Sequence, residues 1–242
     1  MRKAHWGAAF ALVALMLPVH AAEAATPQSK VATPRAEVGS LSDGGDPTDH
    51  HCSGSVVGSP RGNVIATAAH CVYGKSKVYF TPGYHDGQAP YGTWQSAAIY
   101  VDPGYATNHD NNAGSPYDFA FVVLQPRNGK NIAEVTGSFN LKIDATLPAD
   151  MTVYGYPSAK DKPYLCDSTA NKDGQYWETL QCLGIPGGFS GGPWVLRGTK
   201  DLIGVIGGKG QNLPATDPRN YSVRFDSRVK ALYDKAVAAR RT

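Results

Sequence analysis

The sequence predicts an all-β fold that ends in a single helix, and three features of its 242 residues support this prediction. The chain contains 27 glycines, 17 prolines and 13 tyrosines, a composition that suits short strands joined by tight turns. Short apolar runs alternate with turn-forming residues along most of the chain. Apolar residues recur at clear helical spacing only near the C-terminal end.

Residues 1–24 have the pattern of a signal peptide. Arg2 and Lys3 precede an apolar stretch over residues 6–19, which is too short to span a bilayer. The small-x-small pattern that signal peptidase recognises ends at Ala24, and a second such pattern ends at Ala21. We expect cleavage after Ala24, with cleavage after Ala21 or a retained membrane anchor as alternatives. The expected product is secreted, extracellular and soluble.

Residues 25–37 contain Pro27 and Pro34 and lack apolar periodicity, so they predict a pro-segment or a loose N-terminus. Strands are predicted after this segment from short apolar runs bounded by turn residues. They cover residues 38–41, 53–58, 63–67, 77–81, 97–101, 119–124, 151–154, 177–182, 194–197, 202–207 and 221–224. The polar stretch 128–137 is the predicted linker between two halves of the chain.

The predicted helix lies at the C-terminal end, behind Asp226 or Ser227 as its N-cap. Its apolar residues fall at helical spacing and are Val229, Leu232, Tyr233, Ala236 and Val237. Such a stripe needs a partner surface to cover it. We expect the helix to pack on the second half of the chain.

The formal net charge of +3 falls to +2 without residues 1–24. This balance gives no reason to expect nucleic acid or an acidic surface as a partner. We therefore expect no nucleic-acid partner and, after removal of the signal peptide, no membrane. We also expect the chain to be a monomer.

Four cysteines in an exported chain predict two disulfides. The simplest of the three possible connectivities joins sequence neighbours, Cys52 with Cys71 and Cys166 with Cys182. Each bridge would close a loop of fewer than about 20 residues and stabilise the fold by on the order of 3 kcal/mol. The other two connectivities remain open at this point.

Zinc is a competing interpretation of the first cysteine pair, because His50, His51 and His70 lie near Cys52 and Cys71 in the sequence. However, the chain has no Cys-x-x-Cys or His-x-x-x-His ligand pair. We therefore expect no metal site and no other cofactor. His50 and His51 are expected to be surface imidazoles.

Three motifs contain the residue types of acyl-transfer chemistry, in the order His, Asp, Ser. Residues 67–71 read Thr-Ala-Ala-His-Cys and place His70 after a predicted strand. Residues 117–120 read Tyr-Asp-Phe-Ala and place Asp118 at the start of an apolar strand. Residues 187–193 read Gly-Gly-Phe-Ser-Gly-Gly-Pro and place Ser190 in a glycine-rich turn.

These residue types suit nucleophilic attack on an acyl carbon. A serine hydroxyl needs a base, and histidine, with an ordinary pKa of about 6.5, can take the proton and return it to a leaving group. A carboxylate on the other imidazole nitrogen fixes the tautomer and stabilises the imidazolium. The glycines around Ser190 let the backbone bend so that the N–H groups of Gly188 and Ser190 can face a developing oxyanion.

The three motifs resemble those of the chymotrypsin-like (trypsin-fold) serine proteases. They are most similar to bacterial secreted trypsin-like peptidases, including the glutamyl-endopeptidase-like branch, over roughly residues 38–234. The resemblance implies a secreted serine endopeptidase that acts on polypeptides, with the catalytic triad His70, Asp118 and Ser190. It also implies two six-stranded antiparallel Greek-key β-barrels packed together with a C-terminal α-helix. The barrels would cover residues 38–130 and 131–225, and the helix would cover 226–242.

Other interpretations use the same residues. Asp102 or Asp110 could replace Asp118, but both lie in turn-like contexts. Residues 188–192 also match the nucleophile elbow of α/β-hydrolases, whose histidine follows the serine. No histidine occurs after His109, which excludes that class. A catalytically silent binding protein on a trypsin-like fold is the non-enzyme alternative, although no triad member is missing.

The sequence departs from the family's pattern at Phe189. Trypsin and chymotrypsin carry an aspartate there, and it pairs with the new N-terminal ammonium after zymogen cleavage. A phenylalanine cannot accept that ion pair. We therefore expect a buried Phe189 to hold the oxyanion loop, residues 187–192, by packing. We also expect activity to tolerate varied N-termini upstream of Val38.

The specificity pocket also departs from the family's charged examples. Gly184 falls where a trypsin carries its pocket aspartate, and Ile206 falls near the position of the histidine in glutamate-specific relatives. The segment Gly207, Gly208 and Lys209 is expected to pair with extended substrate backbone. These positions predict substrate-binding roles for Gly184 and residues 207–209. They also predict a preference for a medium or large uncharged side chain.

Overall fold

The structure is a computed structural model, which describes Met1 and residues 25–107, 114–158, 160–210, 213–214 and 216–238. Apart from Met1, the predicted signal peptide lies outside the described residues, and so does Asp110. Within the described ranges, none of the helices is long and apolar enough to cross a membrane.

The described residues form mostly strands, and the helices are short except for the last. The strands are β1 (Lys30–Val31), β2 (Val38–Ser42), β3 (His50–Val57), β4 (Val64–Thr67), β5 (Tyr79–Pro82), β6 (Trp94–Val101), β7 (Ala120–Leu124), β8 (Asn140–Leu141), β9 (Ala149–Gly155), β10 (Tyr164–Asp173), β11 (Trp177–Gln181), β12 (Pro193–Leu196), β13 (Asp201–Val205) and β14 (Arg219–Val223). The helices are α1 (Ala69–Val72), α2 (Pro103–Thr107), α3 (Ile132–Thr136) and α4 (Ser227–Ala238), with a 3-10 turn at Pro47–Asp49.

The first half of the chain is a closed, six-stranded antiparallel barrel in the order β2-β3-β4-β7-β6-β5. Apolar side chains from alternate positions fill it, since strand residues alternate between the two faces. Its fully buried residues include Leu41, Val56, Ile65, Phe80 and Val122. The first predicted barrel is confirmed.

The second half is a larger sheet than the six antiparallel strands predicted. Its strands follow the order β14-β11-β10-β9-β12-β13-β8, and β1 pairs with β10. The strand β8 pairs parallel to β13. The strand β14 also approaches β13. The Ser222 hydroxyl accepts a hydrogen bond from Val205 N (3.0 Å), and Gly207 N, just after β13, donates to Tyr221 O (3.0 Å). A side-chain contact therefore replaces part of the ladder that would close this sheet into a barrel.

The N-terminal segment is not loose over residues 27–32, contrary to our expectation. Ser29 N donates to Leu183 O (2.9 Å), and Leu183 N donates to Pro27 O (2.8 Å). The strand β1 then pairs antiparallel with β10, and Ala32 N donates to Pro163 O (2.9 Å). A free sheet edge offers unpaired N–H and C=O groups, which this segment satisfies. The prediction of a pro-segment stays a prediction.

The predicted C-terminal helix forms, but it packs chiefly on the first barrel rather than on the second half. It lies against β6 and β7. Tyr233 stacks edge-on against Phe121 of β7 at 5.4 Å between ring centroids, and its hydroxyl donates to Gly58 O (2.6 Å). The helix therefore connects the end of the second half back to the first barrel.

Both predicted disulfides are confirmed. Cys52 bonds to Cys71, and Cys166 bonds to Cys182. The first bridge consumes the two thiolates that a zinc ion beside His70 would need, so the zinc interpretation is wrong for this cluster. The same bridge ties α1, which carries His70, to β3.

Candidate active site

His70 and Asp118 are in direct contact at the mouth of the first barrel. His70 lies in α1, directly after β4, and Asp118 lies two residues before β7. Because β4 and β7 are neighbours in the barrel, their ends bring the two side chains together. The imidazole Nδ1–H of His70 donates to Asp118 Oδ2 (2.8 Å), and the His70 backbone N–H donates to Asp118 Oδ1 (2.9 Å).

The ion pair changes the pKa of both groups. Burial alone would lower the pKa of the His70 imidazole, but the charge and hydrogen bond of Asp118 outweigh burial and raise that pKa above its ordinary value. Burial would raise the pKa of the Asp118 carboxyl, but His70 and two backbone N–H donors hold it below its usual range. Asp118 therefore stays ionised and favours the protonated form of His70.

Asp118 receives a third donor that the sequence did not indicate. Gly208 N–H donates to Asp118 Oδ2 at 2.6 Å, so the fully buried carboxylate is held from both halves of the molecule. A Cβ on Gly207 would lie 2.9 Å from the same oxygen, which explains why the approach needs a glycine. The alternative Asp102 instead accepts from Gly104 N (2.8 Å) in a local turn.

Ser190 lies against the chain that leads into His70. Ser53 N of β3 donates to Ser190 O (2.7 Å), and Gly191, at φ 77°, packs so closely on Thr67 and Ala68 that a Cβ would collide with them. In the described part of the chain, the Ser190 hydroxyl makes no hydrogen bond of its own.

The oxyanion loop is shaped by hydrogen bonds to its carbonyl groups. Ser53 Oγ donates to Gly188 O (2.7 Å) and accepts from Tyr156 N (2.8 Å), and Ser158 N donates to Gly187 O (2.9 Å). Gly188 has φ 97°, a conformation that favours glycine. Among the described residues, the N–H groups of Gly188 and Ser190 have no acceptor. Both N–H groups can therefore donate to an acceptor from outside the chain.

Phe189 holds this loop from below, as predicted. Its side chain is fully buried and packs in the apolar core of the second half with Val153, Trp194 and the Cys166–Cys182 bridge. A Cβ on Gly155 would collide with the Phe189 ring, so the phenylalanine fills the space that a glycine leaves on β9. Burial of a phenylalanine contributes on the order of 1.5–3 kcal/mol and needs no charged partner.

A family model described as Trypsin matches residues 28–231. The chain belongs to the trypsin family. This match confirms the resemblance to the chymotrypsin-like serine proteases that the three motifs indicated. A comparison with curated proteins finds no match.

Solved structures share this trypsin-family fold. The protease Anisep from Arthrobacter nicotinovorans is 26% identical and has a TM-score of 0.75, over 87% of this chain and 100% of that one. The thermostable serine protease AL20 from an extremophilic microorganism is 22% identical, with a TM-score of 0.72 over 85% and 98% of the two chains. A Glu endopeptidase in complex with MPD is 19% identical, with a TM-score of 0.71 over 88% and 97%. The last two likenesses show the fold alone.

A cavity of about 380 Å³ opens beside Ser190 in this trypsin-family chain. Ile185 and Ile206 are among its apolar lining residues. Of the predicted substrate-binding residues, Gly207 and Lys209 line the cavity, whereas Gly208 supports Asp118. Gly184 does not line it, contrary to our prediction.

Gly184 lies instead against the N-terminal segment. Its carbonyl accepts a hydrogen bond from the Ser29 hydroxyl, and a Cβ on Gly184 would lie 3.2 Å from that hydroxyl. The wall of the cavity begins one residue later, at Ile185. Counting back from Ser190 could not detect this, because the docking of residues 27–32 depends on tertiary contacts.

Charged side chains around the cavity are paired. The Lys209 amine contacts Asp173 Oδ2 at 2.8 Å and lies 5.5 Å from the ring centroid of Trp177. The Arg219 guanidinium contacts Asp217 Oδ2 at 2.6 Å. No net charge from these pairs is left to select a charged substrate group.

His50 is buried rather than exposed, which corrects our expectation. It is 4% exposed, and its Nδ1 and Nε2 lie 2.7 Å from Pro47 O and 2.9 Å from Pro157 O. It therefore bridges the first barrel and the chain behind the oxyanion loop. His51 is partly buried, with Nε2 3.2 Å from Cys71 O.

Proposed function

We propose that this trypsin-family chain is a serine endopeptidase that hydrolyses peptide bonds through His70, Asp118 and Ser190. The observation that supports it is the buried His70–Asp118 pair, which lies beside a serine loop with two unused backbone donors. A base, its orienting carboxylate, a nucleophile and oxyanion donors are the groups that acyl transfer requires.

In the first half-reaction, His70 Nε2 removes the Ser190 hydroxyl proton as Oγ attacks the carbonyl carbon of the substrate. The carbonyl electrons move to its oxygen, which receives hydrogen bonds from the N–H groups of Gly188 and Ser190. The imidazolium then protonates the leaving amine, and the C–N bond breaks to give an acyl-serine. Asp118 stabilises the imidazolium throughout without taking its proton.

In the second half-reaction, water replaces the amine. His70 accepts a proton from the water as its oxygen attacks the acyl carbon, and the tetrahedral intermediate uses the same two donors. Collapse of this intermediate releases the carboxylic acid and returns the proton to Ser190 Oγ. The enzyme is regenerated, and no cofactor takes part in this scheme.

The cavity beside Ser190 favours a medium or large uncharged side chain at the residue before the scissile bond. Ile185 and Ile206 offer apolar surface, and the charges of Lys209 and Arg219 are already paired. A bound charge would have to compete with these ion pairs. Cleavage-site profiling with a peptide library tests this preference, and dominant cleavage after Arg, Lys or Glu would contradict it.

We further propose that the enzyme is exported and acts as an extracellular monomer on polypeptides. Two disulfides support export, because such bonds persist in oxidising compartments. Intact-mass analysis of the protein from the culture medium of an export-competent host tests this. A mass that begins at Ala25 is expected, and full-length protein held in the membrane would contradict it.

A Ser190→Ala variant tests the proposed reaction. It is expected to lose roughly 10⁶-fold in kcat on peptide and ester substrates while it keeps the wild-type circular dichroism spectrum. A fluorophosphonate is expected to label wild-type Ser190, and Ser76→Ala, which removes an exposed serine outside the site, is the matched control with full activity. Labelling at another serine, or activity in Ser190→Ala, would contradict the assignment. A folded wild-type protein without hydrolytic activity would favour the silent binding protein.

A further inference from the structure

Arg228, in the first turn of α4, reaches across to the segment that carries Asp118. Its Nε and Nη2 form a forked contact with Asp226, at 3.1 Å and 2.8 Å to Oδ2. Its Nη1 donates to Pro116 O at 2.5 Å. Only 19% of the Arg228 side chain is exposed, so this contact is largely shielded from water.

Two aromatic rings also contact this guanidinium. Its central carbon lies 4.7 Å from the ring centroid of Tyr176 and 5.4 Å from that of Tyr117. An arginine in contact with aromatic rings and a carboxylate has little freedom to move, because its planar group is held by stacking and by directional hydrogen bonds. The end of Arg228 is therefore a rigid point in the structure.

The segment that Arg228 contacts is a tight turn that ends in Asp118. Tyr117 N donates to Ser115 Oγ (3.2 Å), and Asp118 N donates to Ser115 O (3.1 Å). Pro116 has no backbone N–H and cannot add a donor of its own to this turn. The Arg228 contact to Pro116 O thus fixes the turn from outside, two residues from the carboxylate.

We propose that Arg228 is a positioning residue for the catalytic site, which clamps the Ser115–Asp118 turn so that the Asp118 carboxylate stays aligned with His70. This inference rests on the proposed serine-protease function. The forked group is needed because it binds Asp226 and Pro116 O at the same time. A lysine ammonium, which is a compact point charge, cannot reproduce that geometry.

The test compares Arg228→Met and Arg228→Lys with Lys230→Met. Lys230 is the matched control because it lies on the same helix and makes an exposed ion pair with Asp234. In Arg228→Met we expect kcat per titrated active site to fall roughly 10- to 100-fold with little change in KM, the scale of effect that follows displacement of a catalytic group. Arg228→Lys is expected to fall between Arg228→Met and wild type, and Lys230→Met is expected to match wild type.

Two readouts separate positioning from a purely structural role. Since Asp118 raises the pKa of His70, a looser pair moves the acidic limb of the kcat/KM profile to lower pH in Arg228→Met. The NMR signal of the proton between His70 Nδ1 and Asp118 Oδ2 should also shift or broaden. A lower melting temperature with unchanged kcat per titrated site, pH limb and proton signal would overturn the inference. If Arg228→Met does not fold, Arg228→Lys decides by the same readouts.

The proton signal also separates this inference from the proposed function, because it can be measured in a Ser190→Ala background without turnover. An inactive wild-type protein would remove the proposed function and with it any catalytic role of Arg228. If wild type is active and Arg228→Met keeps its kcat, pH limb and proton signal, only the positioning role of Arg228 is contradicted.

Discussion

At the scale of single residues, Asp118 is held by two parts of the molecule that are distant in sequence. His70 binds it from the first barrel, and Gly208 N–H binds it from the loop after β13. A backbone donor cannot rotate away as a side chain can, so its contact is fixed by the fold. Relative movement of the two halves would therefore act directly on the charge that stabilises His70.

The pH profile should report this arrangement. His70 can act as a base only when neutral, and Asp118 raises its pKa above the ordinary value of about 6.5. We therefore expect kcat/KM to fall as pH drops through a midpoint above that value. Initial-rate assays with an uncharged ester substrate between pH 5 and 9 measure this acidic limb of the kcat/KM profile. In Asp118→Asn the midpoint should move down and kcat should fall by about 10⁴-fold, the loss known for such a change in another serine protease.

Local sequence was sufficient to identify candidate site residues that stand in motifs, and it failed for residues whose surroundings depend on distant contacts. His70, Asp118 and Ser190 each stand in a short recognisable string. His50 and Arg228 do not, because the partners that define them, such as Pro157 O and Pro116 O, are 107 and 112 residues away. Periodicity and motif spacing do not predict contacts between residues so far apart in the sequence.

At the scale of elements, the N-terminal strand changes the expectation drawn from Phe189 alone. A buried phenylalanine does remove the need for a terminal ammonium. However, residues 27–32 also add β1 to the second sheet and hold Leu183 and Gly184. Those residues directly precede Ile185, which lines the cavity. Tolerance of varied N-termini should therefore end near Pro27 rather than at Val38.

Truncation tests this limit. Variants that begin at Ala25, with or without an added N-terminal tag, should have similar kcat/KM and melting temperature. A variant that begins at Arg35 loses at least three backbone hydrogen bonds, worth roughly 0.5–1.5 kcal/mol each, so its free energy of unfolding should fall by about 1.5–4.5 kcal/mol. Its KM should rise because the cavity wall loses support. Equal stability and KM in all three variants would show that β1 is dispensable.

The last helix shows why topology is harder to predict than element type. Its apolar stripe was readable from spacing, and Val229, Leu232 and Ala236 are indeed buried. The surface that covers them belongs to β6 and β7, more than a hundred residues earlier in the chain. The spacing of apolar residues indicates that one face of a helix is buried, but it does not indicate which neighbouring element covers that face.

At the scale of the whole molecule, the family's fold was predictable, and the strand count of the second half was not. Motif order and short strands were enough for a closed first barrel and a second β unit. The strand that the prediction missed in the second sheet is β1, Lys30–Val31, which comes from a segment with no apolar pattern. Backbone N–H and C=O groups at a free sheet edge can pair with such a segment whatever its side chains are. The composition of the segment therefore does not predict this pairing.

The second half also contains a buried carboxyl group outside the candidate active site. Glu178 of β11 is 1% exposed, and its Oε2 has no hydrogen-bond partner within the described residues. Burial raises the pKa of Glu178 to about 8, although the charges of Arg224 and Lys172 partly oppose this. Between its ordinary pKa and this value, the folded protein keeps a proton that the unfolded chain releases.

The stability of the whole molecule should therefore fall as pH rises. With more protons bound in the folded state, the free energy of unfolding decreases with pH from about 4.5 to about 8, by at most on the order of 5 kcal/mol from this residue. Glu178→Gln keeps the shape but cannot ionise, so its stability should match wild type at pH 5 and exceed it at pH 8. Urea unfolding of both proteins in a Ser190→Ala background, which prevents self-cleavage, measures the difference. If the free energies of unfolding of the two proteins change with pH in the same way across this range, the fold accommodates a charged Glu178.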